Sequence, residues 1–263
     1  MNRALYVAKT GLEAQDFRLA TISNNLANAN TYAYKTGRAE FNDLMYQNVR
    51  QPGAQATQNE ENTFPSGLQL GTGVKAIGVQ KIHTQGNAMV TDNQLDVMIE
   101  GKGFFQALDQ DGNIMYTRDG SFEVNQNGDL VTSSGYLVEP NINIPLNTTE
   151  VFISSDGVVS AKEPGNPQPI AVGQIELATF INPAGLEATG KNFYVETLAS
   201  GAPNVKNPEI EEAGSLLQGA LESSNVNTVE ELIGMIEAQR TYEMNSKAIS
   251  AADGMMQYLN NNV

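Results

Sequence analysis

Two narrow apolar seams, one near each end of a 263-residue chain, constrain the fold more than any other feature. Leu5, Ala8, Leu12, Gln15, Leu19, Ile22 and Leu26 follow 3-4 spacing, the a/d pattern of a helix that pairs with another helix. An Asn-rich stretch, Ser23 to Asn30, follows and favours helix termination. At the other end Met235, Ala238, Tyr242, Asn245, Ile249, Ala252, Met256 and Leu259 repeat the spacing. Thr228 with Glu231 three residues on is a capping-box signature, with Thr228 as the expected N-cap. Gly234 and Gly254 each weaken that helix by roughly 1 kcal/mol relative to Ala, so it depends on packing. Two such helices can pair with each other, yet a two-helix hairpin leaves much apolar surface uncovered. Neighbours from other copies would complete its burial, which is the physical argument for a polymer.

Between the ends the period changes to two. Leu95–Ile99, Gly103–Leu108, Ile114–Thr117, Phe122–Val124, Leu130–Val131, Val151–Ile153, Ile175–Phe180 and Phe193–Val195 are short, rich in β-branched and aromatic residues, and bounded by glycines. Asp111-Gly112, Asp119-Gly120 and Asn127-Gly128 recur every eight residues, and Ser134-Gly135 follows; such dipeptides predict type I′ hairpin turns. The expected class is therefore α+β: terminal helices pairing as a coiled-coil-like domain, an extended connector and a central antiparallel β-domain. The expected boundaries are 1–30 with 221–263 for the helices, 31–74 with 201–220 for the connector, and 75–200 for the β-domain. Residues 46–73, rich in Gly, Pro and Gln, read as a long extended segment, a type of loop that is often functional.

Composition removes most chemistry. The chain has no Cys and a single His, His83, which excludes thiol nucleophiles, Cys-based zinc sites and multi-histidine metal centres. Gly71-Thr-Gly73-Val-Lys-Ala76 fits a dinucleotide fingerprint only if a helix follows, and the next residues read as a strand. Asp109-Gln-Asp111-Gly112-Asn113 begins like a calcium loop but has Ile114 and Gly120 where Gly and Glu are needed. Thirty carboxylates include some pair able to act as acid and base, but spacing alone selects none. No cofactor or metal is expected. Net charge is −15, distributed as +1 over residues 1–45, 0 over 46–95, −12 over 96–220 and −4 over 221–263. Without a Lys/Arg cluster, nucleic-acid binding is not expected. No apolar run reaches the length of a membrane span, and charges interrupt the N-terminal stretch as a cleavable signal would not allow.

Three ordered blocks resemble the bacterial flagellar basal-body rod and hook family, most closely its distal-rod branch. Ile22-Ser-Asn24-Asn25-Leu-Ala-Asn28-Ala-Asn-Thr31-Tyr-Ala-Tyr34-Lys35 is similar to the family's rod signature, NNLAN followed by T-x-G-[FY]-K. Gly101-Lys-Gly-Phe-Phe105, Tyr116-Thr-Arg-Asp-Gly-Ser-Phe122 and Gly128-Asp-Leu-Val131 resemble its β-core. Leu221-Glu-Ser-Ser224-Asn225-Val-Asn227 through Gln239-Arg240-Thr-Tyr242 resembles its closing helix. Arg50-Gln51-Pro52-Gly53 and Pro65–Val74 resemble the segment that separates distal-rod from hook members. Ala33 stands where the family usually has Gly, so a positive φ there would strain it by about 1 kcal/mol.

The resemblance implies a non-enzymatic subunit of a helical tubular drive shaft. It implies export through the flagellar type III apparatus without a cleaved signal, and a place in the basal body across the periplasm. Its implied partners are copies of itself, the proximal rod protein and hook protein at the two ends, and the surrounding ring proteins. Leu5, Leu12, Leu19, Ile22, Leu26, Met235, Tyr242, Ile249, Met256 and Leu259 are the expected subunit interface. The helices are expected inside the tube and the acidic β-domain outside. The alternatives are a proximal rod or hook subunit, or a rod-associated peptidoglycan hydrolase.

Overall fold

A computed structural model describes residues 3–52, 66–165 and 168–261; Gly53 and the Leu259 side chain lie outside the described residues. The chain is α+β and falls into two compact units. One comprises Met1–Ala27, Gly37–Gln80 and Asn227–Val263, the other Asn28–Thr36 and Lys81–Val226.

In the first unit, helices α1 (Arg3–Ala27) and α2 (Thr228–Asn261) run antiparallel. The register is visible in three places: a Cβ on Gly234 would sit 3.5 Å from Ile22, Arg18 lies 3.6 Å from Glu237, and a Cβ on Gly11 would meet Asn245 at 3.0 Å. Small residues permit this approach: Ala14 on α1 and Ala238 and Ala252 on α2 are buried. The cap of α2 is Asn227 rather than Thr228, with its Oδ1 accepting from the amides of Val229 (3.2 Å) and Glu230 (3.5 Å). An Asn one residue earlier satisfies the orphan amides as well as Thr would, and Glu231 is freed for another bond. Gly37–Asp43 pairs with Val74–Lys81, and Gln47–Arg50 pairs antiparallel with Leu68–Leu70. The strand at Val74–Lys81 puts no helix after Gly73, as the sequence implied.

The second unit is antiparallel β. Its seven-stranded sheet runs in the order Glu187–Gly190, Phe193–Val195, Ile114–Thr117, Phe105–Leu108, Leu137–Glu139, Leu130–Thr132, Phe122–Val124. Its core gathers Val97, Ile99, Phe105, Phe122, Leu130, Val138, Val159, Ile175 and Leu177. The hairpins at Gly112, Gly128 and Gly135 close as expected, but not through type I′ turns. Only the glycine has positive φ (81°, 89° and 82°), while the residues before them do not. At the first, Gly112 donates to the Asp109 carbonyl (3.0 Å) and Asp109 to that of Asn113 (2.9 Å), a type I turn closed by a left-handed glycine. Lys191-Asn192 makes the two-residue turn in which both residues have positive φ (52° and 64°).

Asp119-Gly120 is not a hairpin turn, because Ile114–Thr117 and Phe122–Val124 lie apart in the sheet. Gly120 is small for another reason. A Cβ there would sit 1.7 Å from the Val97 carbonyl, and Val97 donates to Gly120 O at 3.0 Å. Ala33 does take the positive φ, 57°, that strains a residue with a Cβ, and its amide donates to the Glu222 carbonyl at 2.8 Å.

Candidate assembly site

The motif residues near Lys35 meet in a buried ionic cluster of the β-rich unit. Lys35 Nζ lies 2.6 Å from Glu222 Oε1, and both side chains are 0% exposed. Nζ also donates to the Thr84 carbonyl (2.8 Å), and Glu222 Oε1 accepts from the Gly86 amide (2.8 Å). Arg118 lies 3.5 Å from the other Glu222 oxygen and donates to the Gly101 carbonyl at 2.7 Å. Three segments far apart in sequence therefore share one carboxylate. Burial pulls the Lys35 pKa down, and the Glu222 charge opposes that pull.

Asn225 ties the same segments through its amide. Its Oδ1 accepts from Thr36 N (2.7 Å), and its Nδ2 donates to Ile82 O (2.8 Å) and Thr84 Oγ1 (2.9 Å). Thr31 Oγ1 donates to Asn28 Oδ1 (3.2 Å), which tightens the turn leading to Tyr34 and Lys35. Lys81 sits over the Tyr34 ring, 4.2 Å from its centre. Ser224 Oγ accepts from the Val226 amide at 3.3 Å.

His83 packs edge-on against Phe104 and Tyr194, with ring centres 5.8 and 5.6 Å away. Burial first, then the charges of Lys35, Arg118 and Lys81, push its pKa down to about 4. Burial, then Tyr34 and Glu222, push the Tyr194 hydroxyl up to about 12. In an unfolded chain imidazole ionises near 6.5, so below that pH the unfolded state takes up a proton that the fold refuses. Stability from this source is complete above 6.5 and declines as pH falls toward 4. Between pH 7 and 5 the loss should be about 2 kcal/mol. His83→Phe keeps the ring packing and should flatten that slope in urea titrations; an unchanged slope would assign it elsewhere.

In the helical unit Asn25 is the buried joint. Its Oδ1 accepts from the Gly37 amide (2.8 Å), and its Nδ2 donates to the Gly37 carbonyl (2.8 Å) and to Glu231 Oε1 (2.8 Å). One side chain thus joins α1, the strand at Gly37–Asp43 and α2. Asn25→Ala should cost about 2–3 kcal/mol, because Gly37 keeps two buried polar groups without partners. Thermal unfolding followed at the helical signal measures it.

The helix surfaces divide unexpectedly. On α1, Ile22 is buried, and Leu5, Leu12, Leu19 and Leu26 are half-buried. On α2 the expected seam lies on the side of buried Ala238 and Ala252, with Met235 and Ile249 half-buried and Tyr242 and Met256 exposed at its margin. At about 100° per residue, Val229, Ile233, Ile236, Met244, Met255 and Tyr258 form a second stripe on the opposite side. All six are exposed, and Arg240 and Lys247 interrupt the stripe. Exposed Met45, Tyr46, Val49 and Leu68 add apolar surface around the hairpin that carries Arg50, with Gln51 and Pro52 exposed just beyond it. Among the described residues no three His, Asp or Glu gather as a metal ion would need.

The chain matches three family descriptions: Flagella basal body rod protein over residues 5–35, Flagellar hook protein FlgE/F/G D1 domain over 98–161, and Flagellar basal body rod FlgEFG protein C-terminal over 217–262. It is 52% identical to the flagellar basal-body rod protein FlgG of Buchnera aphidicola (subsp. Acyrthosiphon pisum), across 97% of this chain and 98% of the relative. The protein of the same name from Caulobacter vibrioides is 48% identical across 97% of each chain. That from Bacillus subtilis is 37% identical across 99% of each.

Proposed function

The chain belongs to the flagellar basal-body rod protein FlgG family, whose members are structural subunits of the rod, and we propose that it polymerises through the outward stripe of α2. The observation that carries this reading is the second apolar face of α2. The helix packs Ala238 and Ala252 toward α1 and leaves Val229, Ile233, Ile236, Met244 and Met255 exposed on the other side. An uncovered apolar face of this kind marks an interaction surface. A heterologous contact that does not close repeats into a helical filament. In this reading the α1–α2 pair lines the inner tube, and the expected seam of Leu5 to Leu26 and Met235 to Met256 holds the pair together and meets neighbours along its exposed margins.

The polymer acts as a drive shaft and transmits torque without catalysis. The proximal rod protein and the hook protein abut its two ends, and ring proteins surround it. The subunit reaches the periplasm through the type III export apparatus without cleavage of a signal. Within the connector, the segment 46–73 braces neighbouring subunits through Tyr46, Val49 and Leu68, all exposed, with exposed Met45 just before it. The concentrated full chain should form straight tubes in electron micrographs, and deletion of 46–73 should make them curve. Tubes equally straight after the deletion would remove the brace from the account.

A further inference from the structure

Gly101-Lys-Gly-Phe104 and Arg118 border a cavity of about 350 Å3 in the β-rich unit. Phe104, Phe180, Ile181 and Pro183 supply its apolar lining, and Lys102 and Arg118 its cations. Arg118 is 5% exposed, yet its Nη1 has no hydrogen-bond partner. Among the described residues Glu222 is the one carboxylate that pairs with Lys35 and Arg118 together, so that cluster carries a net charge of about +1 beside the cavity. At the rim Lys102 pairs loosely with Glu212, 3.5 Å away, with both side chains 78% exposed.

The rim also carries unusual apolar exposure. Ile181 is 96% exposed, and Leu198, on the adjoining loop, is fully exposed. Neither sits on a loose loop. Asn182 Nδ2 donates to the Ala199 carbonyl (3.1 Å), Thr197 Oγ1 to that of Gly185 (2.6 Å), and Ser200 Oγ to that of Thr197 (2.9 Å). The geometry is that of a socket: an apolar cavity, an excess cation that water reaches poorly, and an exposed isoleucine at the edge, with exposed Leu198 on the loop hydrogen-bonded beside it.

We infer that this socket receives a carboxylate side chain flanked by apolar surface from a second copy of the same chain. Charge complementarity selects the occupant. Residues 96–220 carry 17 acidic and 5 basic side chains, so a neighbouring copy presents carboxylates on most approaches, while the socket is a local exception to the acidic surface. A guanidinium and an ammonium on one carboxylate make charge-assisted hydrogen bonds, which set register between copies. The inference rests on the rod-subunit reading and adds a contact between β-rich units to the contact between helices.

The test uses the assembled full chain made from a mixture of 14N- and 15N-labelled subunits. A carbodiimide condenses amines with touching carboxylates, and mass spectrometry separates bonds within a chain from bonds between chains. Because the chain has no Cys, Lys247→Cys carrying a photoreactive maleimide, mixed in as a minority of subunits, reports helix contacts in parallel without removing an apolar residue of the stripe. The expected result is a Lys102 isopeptide to an Asp or Glu of another copy, together with crosslinks between copies from position 247. Ile181→Asp should also lower polymer yield at least tenfold with an unchanged unfolding midpoint. Crosslinks between copies from position 247 with Lys102 joined only to its own Glu212 would overturn the socket and leave the rod reading standing. Absence of both would overturn the two together.

Discussion

Glu222→Ala should lower the unfolding free energy of the chain by about 3–5 kcal/mol, the range for removing one partner of a buried ion pair. Lys35 and Glu222 are both fully buried, and Arg118 is nearly so. The deletion leaves two cations without a counter-charge and takes an acceptor from the Gly86 amide. The effect belongs to the unpaired charges rather than to the pair itself, so Lys35→Met in the same chain should recover part of the loss. Urea titrations of the two single variants and the double variant give the coupling. A single-variant loss below about 1 kcal/mol would mean that the cluster behaves like a solvated surface pair. Stability at this point matters for assembly because Ala33, Lys35, Thr84, Gly86 and Glu222 hold residues 28–36 and 220–226 in one register within the β-rich unit.

Ile236→Asp should leave the isolated subunit folded and raise the critical concentration for polymerisation by about 100-fold. Ile236 is half exposed, so the folded monomer should change by about 0.5 kcal/mol or less. In the polymer the same position becomes covered, and an unpaired carboxylate there costs about 3 kcal/mol, roughly two decades in affinity. Ser246→Asp, on the flank of α2 away from the stripe, is the control and should polymerise normally. Sedimentation across a concentration series reads both. Equal critical concentrations for the two variants would show that the stripe does not form the contact.

The helices and the β-domain were legible because each rests on local periodicity and on glycines at turns. The second apolar stripe of α2, Val229 to Tyr258, was not, although it too repeats at helical spacing. Its outward position follows from Gly11 and Ala14 of α1, which admit Asn245 and the alanines of α2 to close range on the other side. Gly120 read as a turn because its neighbour is Asp, but its size is set by the Val97 carbonyl, 23 residues earlier in the sequence. The turn at Lys191-Asn192 has no glycine at its two central positions, only Gly190 before them, and strand pairing imposes its two positive φ angles. Lys35 and Asn225 were reached through family resemblance alone. Arg118 and Glu222 stood inside quoted motifs without a role, because no spacing rule brings residues 35, 118 and 222 together.

The central claim is that copies of this chain assemble by covering the outward stripe of α2. A cryo-EM reconstruction of the polymer formed by the full chain tests it most directly. The account predicts Val229, Ile233, Ile236, Met244, Met255 and Tyr258 buried against neighbouring subunits around the inner tube. A polymer in which that stripe faces solvent, or a chain that stays monomeric at every concentration, would contradict it.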